Sequence, residues 1–216
     1  MAMYGGSRAA IRSTFHGDVV LTVFQVRADV EGAQWLSSDE FEQGRLTARP
    51  ANGESIATRP WPRSLHVLEA SIKRTDFFML NEFFLTMDGR TRKLCEAALN
   101  SCGEFIRFQL RETGEDIFLF NTWLTLEPEA VDWVATKPSF GVHYNLTLKA
   151  ERIKGPSIFR IPKMAALFVA THLQPDDADF YHLYQKHELT GLYFKRLWDE
   201  RSGGVSDRST GRRIDD

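Results

Sequence analysis

Apolar residues recur at every second position in several segments of the chain, a pattern typical of β-strands with one buried face. The clearest case is residues 142–149. Its apolar members are Val142, Tyr144, Leu146 and Leu148, and its polar members are His143, Asn145, Thr147 and Lys149. Residues 105–111 alternate in the same way, with Ile106, Phe108 and Leu110 on one face. Both segments are therefore predicted to be strands with one face against a core.

Shorter apolar runs, rich in β-branched and aromatic residues, predict the remaining strands. They are Val19–Val26, Asp76–Leu80, Ile117–Leu124, Ser157–Ile161, Leu167–Ala170 and Leu192–Trp198. Residues 112–116 contain Gly114 and separate two of the predicted strands by a hairpin length, so we expect an antiparallel hairpin there.

Helical spacing of apolar residues occurs only in short segments. The pattern predicts a helix over Thr91–Asn100, capped by Thr91, a second over Asp176–His187, ended by Gly191, and a single turn at Glu127–Asp132. These helices and the strands follow no regular βαβ alternation. The predicted fold class is therefore α+β, with mixed, mostly antiparallel sheets and a few short helices.

The pattern is interrupted at residues 59–62, Arg-Pro-Trp-Pro, because each proline removes a backbone donor. We place a boundary there, between an N-terminal segment (1–60), loose apart from the strand at 19–26, and an α+β domain (61–200). Residues 201–216 are polar and glycine-rich, and we expect a disordered tail. Whether the first sixty residues form a separate lobe is left open.

Composition excludes several classes of protein. Hydrophobic residues make up 43% of the 216 positions, enough for a core and too many for an intrinsically disordered chain. The net charge of −2, from 27 basic and 29 acidic residues, argues against a nucleic-acid partner. No apolar run approaches the roughly 20 residues of a membrane-spanning helix, and Met1–Thr14 lacks a secretory signal. We expect a soluble cytoplasmic protein with no membrane partner.

Neither the cysteines nor the histidines are spaced for a metal site or a cofactor. Cys95 and Cys102 are predicted to lie about 10 Å apart on one helix face, too far for a disulfide, so we expect buried free thiols. His182 and His187 would lie about 140° apart around a helix, whereas a zinc pair needs a spacing of three or four residues. We predict no bound metal and no cofactor.

The sequence contains no phosphate-binding glycine loop, no dinucleotide fingerprint and no nucleophile elbow. Its acidic clusters, at 112–116 and at 176–179, crowd carboxylates into one environment, whereas acid–base catalysis needs two different environments. Turn formation and helix capping explain these clusters better. We therefore predict no catalytic residues.

The C-terminal third carries a recognisable order of short segments. Lys154–Ile161, which contains Phe-Arg, is followed by Leu167–Ala170, a helix, and the Leu-Thr-Gly-Leu-Tyr-Phe of residues 189–194. Upstream lie Phe118–Asn121 and Ala130–Asp132. This order resembles bacterial polymorphic-toxin immunity proteins, the family typified by a myxobacterial immunity domain, over roughly residues 76–198. Ala170 stands where that family tends to have serine.

The resemblance implies an immunity protein that binds a cognate toxin, of the contact-dependent or type VI kind, and neutralises it stoichiometrically. An enzyme of unrecognised class that reverses a toxin's modification is the alternative, and exposed sheet edges leave a homodimer open. Asp176, Asp177 and Asp179 are candidate contacts for a basic toxin cleft, with helix capping as the competing explanation. Candidate aromatic anchors are Trp35, Trp61, Trp123, Trp133 and Trp198.

Overall fold

In the computed structural model, the described residues form two sheets of five and six strands, a separate two-stranded pair and four short α-helices. The described residues are 20–42, 55–68, 73–80, 83–138, 144–154, 157–164, 166–172 and 178–204. The fold is α+β with mostly antiparallel pairing, as predicted. Among the described residues, no helix has the length and apolar character needed to cross a membrane.

The strands are numbered in chain order. They are β1 (Thr22–Ala28), β2 (Leu36–Ser37), β3 (Ser64–Val67), β4 (Phe77–Phe78), β5 (Leu85–Asp88), β6 (Gly103–Leu110), β7 (Asp116–Thr122), β8 (Lys137–Pro138), β9 (Tyr144–Asn145), β10 (Ile158–Arg160), β11 (Leu167–Thr171), β12 (Leu192–Asp199) and β13 (Gly203–Gly204). The helices are α1 (Asp39–Glu42), α2 (Gly89–Leu94), α3 (Glu96–Leu99) and α4 (Phe180–Lys186). Short 3-10 turns cover Pro128–Ala130 and Ala150–Arg152.

The five-stranded sheet has the antiparallel order β10-β11-β1-β12-β13. Its central strand, β1, comes from the N-terminal segment, and Val26 lies opposite Leu167 on one side and Phe194 on the other. The division predicted at residue 60 therefore does not separate the two sheets. Strand β13 lies inside the tail 201–216 that was expected to be disordered, and residues 205–216 lie outside the described residues.

The six-stranded sheet has the order β2-β3-β6-β7-β5-β4, in which only the β3–β6 pair is parallel. Strands β6 and β7 form the predicted hairpin, and Gly114 in its turn has a φ of +72°. Ile106 and Phe108 are buried whereas Arg107 and Gln109 are exposed, so the predicted alternation is confirmed.

The helix predicted over Thr91–Asn100 is divided into α2 and α3 at Cys95. The prediction of Thr91 as its cap is wrong. The cap is Asp88, whose Oδ1 accepts a hydrogen bond from the Thr91 backbone N–H at 2.7 Å, and Thr91 itself is fully buried. Because β5 leads directly into α2, the last strand residue occupies the capping position.

The strand predicted over 142–149 is shorter than expected. Tyr144–Asn145 alone forms β9, paired with β8, while Leu148 forms an isolated bridge with Val131. Leu146 and Leu148 are buried and Lys149 is exposed, so the predicted inward face is confirmed for these residues. Val142 and His143 lie outside the described residues.

The largest core cluster joins the two sheets. It includes Phe24 of β1, Phe120 of β7, Phe180 of α4 and both cysteines, all 6% exposed or less. The cysteines are free and buried, as predicted. The packing between the sheets fixes the loops at the ends of β7, β10 and β11, where the candidate functional residues lie.

Candidate functional site

Asp179 caps helix α4. Its Oδ1 accepts a hydrogen bond from the His182 backbone N–H at 2.9 Å, and the residue is only 9% exposed. The carboxylate is therefore committed to the helix start, as the capping explanation expected. Asp176 and Asp177, the other two predicted contacts, lie outside the described residues.

Asp179 also lines a half-open cleft of about 300 Å³ between α3, the end of β11 and the start of α4. Small apolar side chains, including Ala97 and Ala170, form much of its wall, and Ser157 and His172 supply polar groups. The cleft thus brings together a serine, a histidine and an aspartate, the residue types of a hydrolase triad.

The hydrogen bonds of the cleft do not form such a triad. The Ser157 hydroxyl accepts from the Phe180 backbone N–H at 2.8 Å and donates to the Ala178 carbonyl oxygen at 3.4 Å. Within the described part of the chain, no hydrogen bond joins the imidazole of His172 to Ser157 or to Asp179. A nucleophile needs its general base within hydrogen-bond reach. Ser157 and Asp179 instead fix the start of α4.

The cysteines have the environment of inert core residues. Burial, reinforced by the charge of Asp76, raises the pKa of the Cys95 thiol to about 12. Burial likewise raises the pKa of Cys102 to about 12, although a hydrogen bond with Thr122 opposes the shift. Both are protonated thiols at neutral pH, and the thiolate is the reactive form. Among the described residues, no group of three or more potential ligands is placed to hold a metal ion.

The five tryptophans differ in burial. Trp35 is half-buried, and its indole N–H donates to the Val30 carbonyl oxygen at 3.3 Å. Trp198 is 4% exposed, and Trp61 packs edge-to-face against Phe84 and Phe108. Trp123 and Trp133, in contrast, are 42% and 36% exposed. Of the predicted aromatic anchors, these two present substantial surface to solvent.

Trp133 belongs to a tight turn formed by residues 132–135, called here the Trp133 turn. The Asp132 Oδ1 accepts hydrogen bonds from the backbone N–H groups of Val134 and Ala135, both at 3.0 Å. The indole N–H of Trp133 donates to the Pro128 carbonyl oxygen at 3.1 Å. Val134, at the tip, is 94% exposed. The turn therefore holds an aromatic and an aliphatic side chain in a fixed, solvent-facing position.

A second turn, Ile161–Met164, lies against the first. The Met164 backbone N–H donates to the Ile161 carbonyl oxygen at 3.0 Å, and Lys163 has a φ of +66°. The Lys163 ammonium lies 5.0 Å from the centroid of the Trp133 ring. Sequence reasoning missed both Val134 and Lys163. The sequences Asp-Trp-Val and Pro-Lys indicate turns, but nothing local indicates that the two turns meet.

Residues that carry the family resemblance meet in the interior. Arg160, 1% exposed, donates to the carbonyl oxygens of Phe83 at 2.9 Å and Thr122 at 3.4 Å, and to Asn121 Oδ1 at 3.5 Å. Burial lowers the pKa of Arg160 to about 10, which leaves it charged at neutral pH. Asn121 in turn donates to Glu104 Oε1 at 3.0 Å. Arg160 therefore connects β10 of one sheet to β7 of the other.

Glu104 extends this network to the N-terminal segment. Its carboxylate accepts from the Ser55 hydroxyl at 2.6 Å and the Ile56 backbone N–H at 2.5 Å. Burial alone would raise the pKa of Glu104, but these hydrogen bonds and the one from Asn121 lower it overall. The segment around residue 56 is thus tied to β6 by a charged acceptor.

The remaining residues of the resemblance are also packing residues. Phe159, Phe168 and Phe194 are 1%, 2% and 8% exposed, and Gly191 has a φ of +97°. These positions therefore shape the fold. Comparison with protein-family models finds none that matches this chain, and comparison with curated proteins finds no significant match.

Proposed function

We propose that this protein is an immunity protein that binds a cognate bacterial toxin, of the contact-dependent or type VI kind. It neutralises the toxin in the cytoplasm of the producing cell by forming a stoichiometric complex. The observation that carries the proposal is the Trp133 turn, which presents Trp133 and Val134 to solvent on a rigid support.

Rigid exposed aromatics are the usual anchors of protein–protein binding. Tryptophan is enriched among the few interface residues that contribute most of the affinity. The hydrogen bonds of Asp132 and of the Trp133 indole fix the turn before any partner arrives. Less conformational entropy is then lost on binding, and more of the contact energy appears as affinity.

The order of segments that resembles immunity proteins supports the same function. Buried residues such as Phe159, Arg160 and Phe168 carry the resemblance, so it concerns the fold. The surface of a neutraliser should vary with its toxin. Exposed side chains on a turn, such as those of Trp133 and Val134, are where such variation belongs.

The hydrogen bonds in the cleft beside α4 weigh against the enzymatic alternative. Its serine donates to a backbone carbonyl and its aspartate caps a helix. A toxin-modifying hydrolase at this site would need both groups for catalysis. Binding is the function that the described groups support.

A titration of toxin activity tests the proposal. The toxin domain encoded by the adjacent reading frame is purified and its activity measured against increasing amounts of this protein. Inhibition should be complete near one equivalent and independent of incubation time. Complete inhibition by a small fraction of an equivalent, growing with time, would mean turnover and would overturn the proposal.

A further inference from the structure

We infer that Trp133, Val134 and Lys163 form one binding surface, and that the toxin contacts it with an apolar pocket that carries a carboxylate at its rim. This inference rests on the proposed function and specifies the partner surface. Its two halves come from different turns, and two observations on Lys163 support joining them.

The first observation is the backbone of Lys163. It occupies the third position of the turn Ile161–Met164 with a φ of +66°. Glycine adopts this conformation without steric cost, and lysine does not. The backbone therefore gains nothing from lysine at this position. What lysine provides is a side chain, which extends over the indole of Trp133.

The second observation is the charge of that side chain. Its ammonium lies 5.0 Å from the Trp133 ring centroid, and within the described part of the chain no carboxylate forms an ion pair with it. The indole face attracts the cation but does not neutralise it. A carboxylate approaching beside the indole would complete the pair while Trp133 and Val134 enter an apolar pocket.

A foreign protein fits this surface better than a second copy of the chain. Within the described part of the chain, a candidate receptor is the cleft beside α4, with Asp179 at its wall. Insertion of the Trp133 turn of one copy into that cleft of another would be a heterologous contact, which propagates into open chains unless the rotation closes a ring. The Asp179 carboxylate is moreover already hydrogen-bonded to the start of α4.

Affinity measurements on the inactivated toxin domain of the adjacent reading frame test the inference. Trp133→Ala should weaken binding by at least about 30-fold. Val134→Ala should weaken it by about tenfold. The matched controls, Trp123→Ala and Val30→Ala, remove exposed side chains of the same two types elsewhere and should change affinity by less than about twofold.

Two variants of Lys163 separate binding from folding. Lys163→Met keeps the aliphatic stem and removes the charge, and should weaken binding by about fivefold to tenfold at low salt and less at high salt. Lys163→Gly also removes the charge but relieves the backbone. Its affinity for the toxin domain should fall by the same factor as that of Lys163→Met. Its unfolding temperature should equal that of the wild type or be higher.

The outcomes distinguish the two proposals. If the wild type forms an equimolar complex and the turn variants bind as tightly as the controls, the binding surface is wrong and the proposed function stands. If the wild type forms no complex, both are wrong. If the protein alone instead sediments as an oligomer that the Trp133→Ala change dissociates, a second copy occupies the surface, and the inference is wrong.

Discussion

Asp76 and Thr190, far apart in the chain, hold each other by reciprocal hydrogen bonds. The Thr190 backbone N–H and hydroxyl both donate to Asp76 Oδ2, at 2.9 Å and 2.8 Å, and the Asp76 N–H donates to the Thr190 hydroxyl at 3.2 Å. The next N–H along, of Phe77, donates to the Thr190 carbonyl oxygen at 3.0 Å. The Leu-Thr-Gly segment that follows α4 is therefore docked onto β4, at the edge of the six-stranded sheet.

Gly191 is the residue of that segment least able to change. Its φ is +97°, and a Cβ at this position would overlap the carbonyl oxygen of Phe77. Gly191→Ala should therefore lower the free energy of unfolding by at least about 2 kcal/mol in urea denaturation. Gly114→Ala is the control, with a φ of +72° but no atom near the added methyl, and should cost about 1 kcal/mol. Equal losses would mean that the docking of Gly191 on β4 is unimportant.

Removal of the buried guanidinium should be among the most destabilising single changes. Arg160→Met leaves the carbonyl oxygens of Phe83 and Thr122 without their charged donor, and should cost about 3 kcal/mol in urea denaturation. Arg107→Met removes a 63% exposed side chain from a surface ion pair with Asp116, and should cost less than about 1 kcal/mol. If Arg160→Met lowers the free energy of unfolding no more than Arg107→Met does, the hydrogen bonds of Arg160 do not stabilise the fold as we infer.

The two thiols should make the protein less stable in alkali. Because their pKa rises from 9.0 to about 12 on folding, the folded state keeps protons that the unfolded state releases. The stabilisation is complete below pH 9.0 and is lost progressively above it. Urea denaturation at intervals between pH 8 and pH 10 should show a falling free energy of unfolding. The double variant Cys95→Ala with Cys102→Ala should reduce that slope, and an unchanged slope would assign it to other groups.

Asp179 should act through its helix. Asp179→Ala removes the acceptor for the His182 N–H and should lower the free energy of unfolding by about 1 kcal/mol, whereas Asp179→Asn keeps an acceptor and should cost much less. Changing Asp176, Asp177 and Asp179 together to Asn should leave toxin affinity within about twofold, as expected of residues that lie outside the hot spot of the interface. A loss greater than about tenfold would instead support the acidic stretch as a contact for a basic toxin cleft.

Local pattern was sufficient for much of the fold. The alternation in β6, the glycine of its hairpin and the apolar face of α4 each depend on near neighbours in sequence, so each could be predicted. The division of the helix at Cys95 could not, because the apolar spacing on both sides of it is that of one continuous helix. The central position of β1 in its sheet also could not be predicted, because periodicity identifies strands but not which strands pair.

The candidate site was less predictable than the fold. Sequence identified Trp133 as one of five aromatic candidates. Only the packing shows that Trp198 is buried, that Trp61 is partly buried against a core cluster and that Trp133 is exposed. The contact between Trp133 and Lys163 joins two turns that are distant in the chain, and local sequence patterns do not predict contacts between distant segments. A binding surface built from such turns becomes visible only once the sheets have positioned them.

The central position of β1 has a consequence for how the protein is made. Strand β1 leaves the ribosome before its neighbours β11 and β12, which begin at residues 167 and 192. At about 5–20 residues per second, synthesis of the chain between β1 and β11 takes on the order of ten seconds, and during this time β1 lacks both strand partners. An unpaired apolar strand invites wrong pairing during that interval. The central pairings of the five-stranded sheet can therefore form only after β12 has left the ribosome.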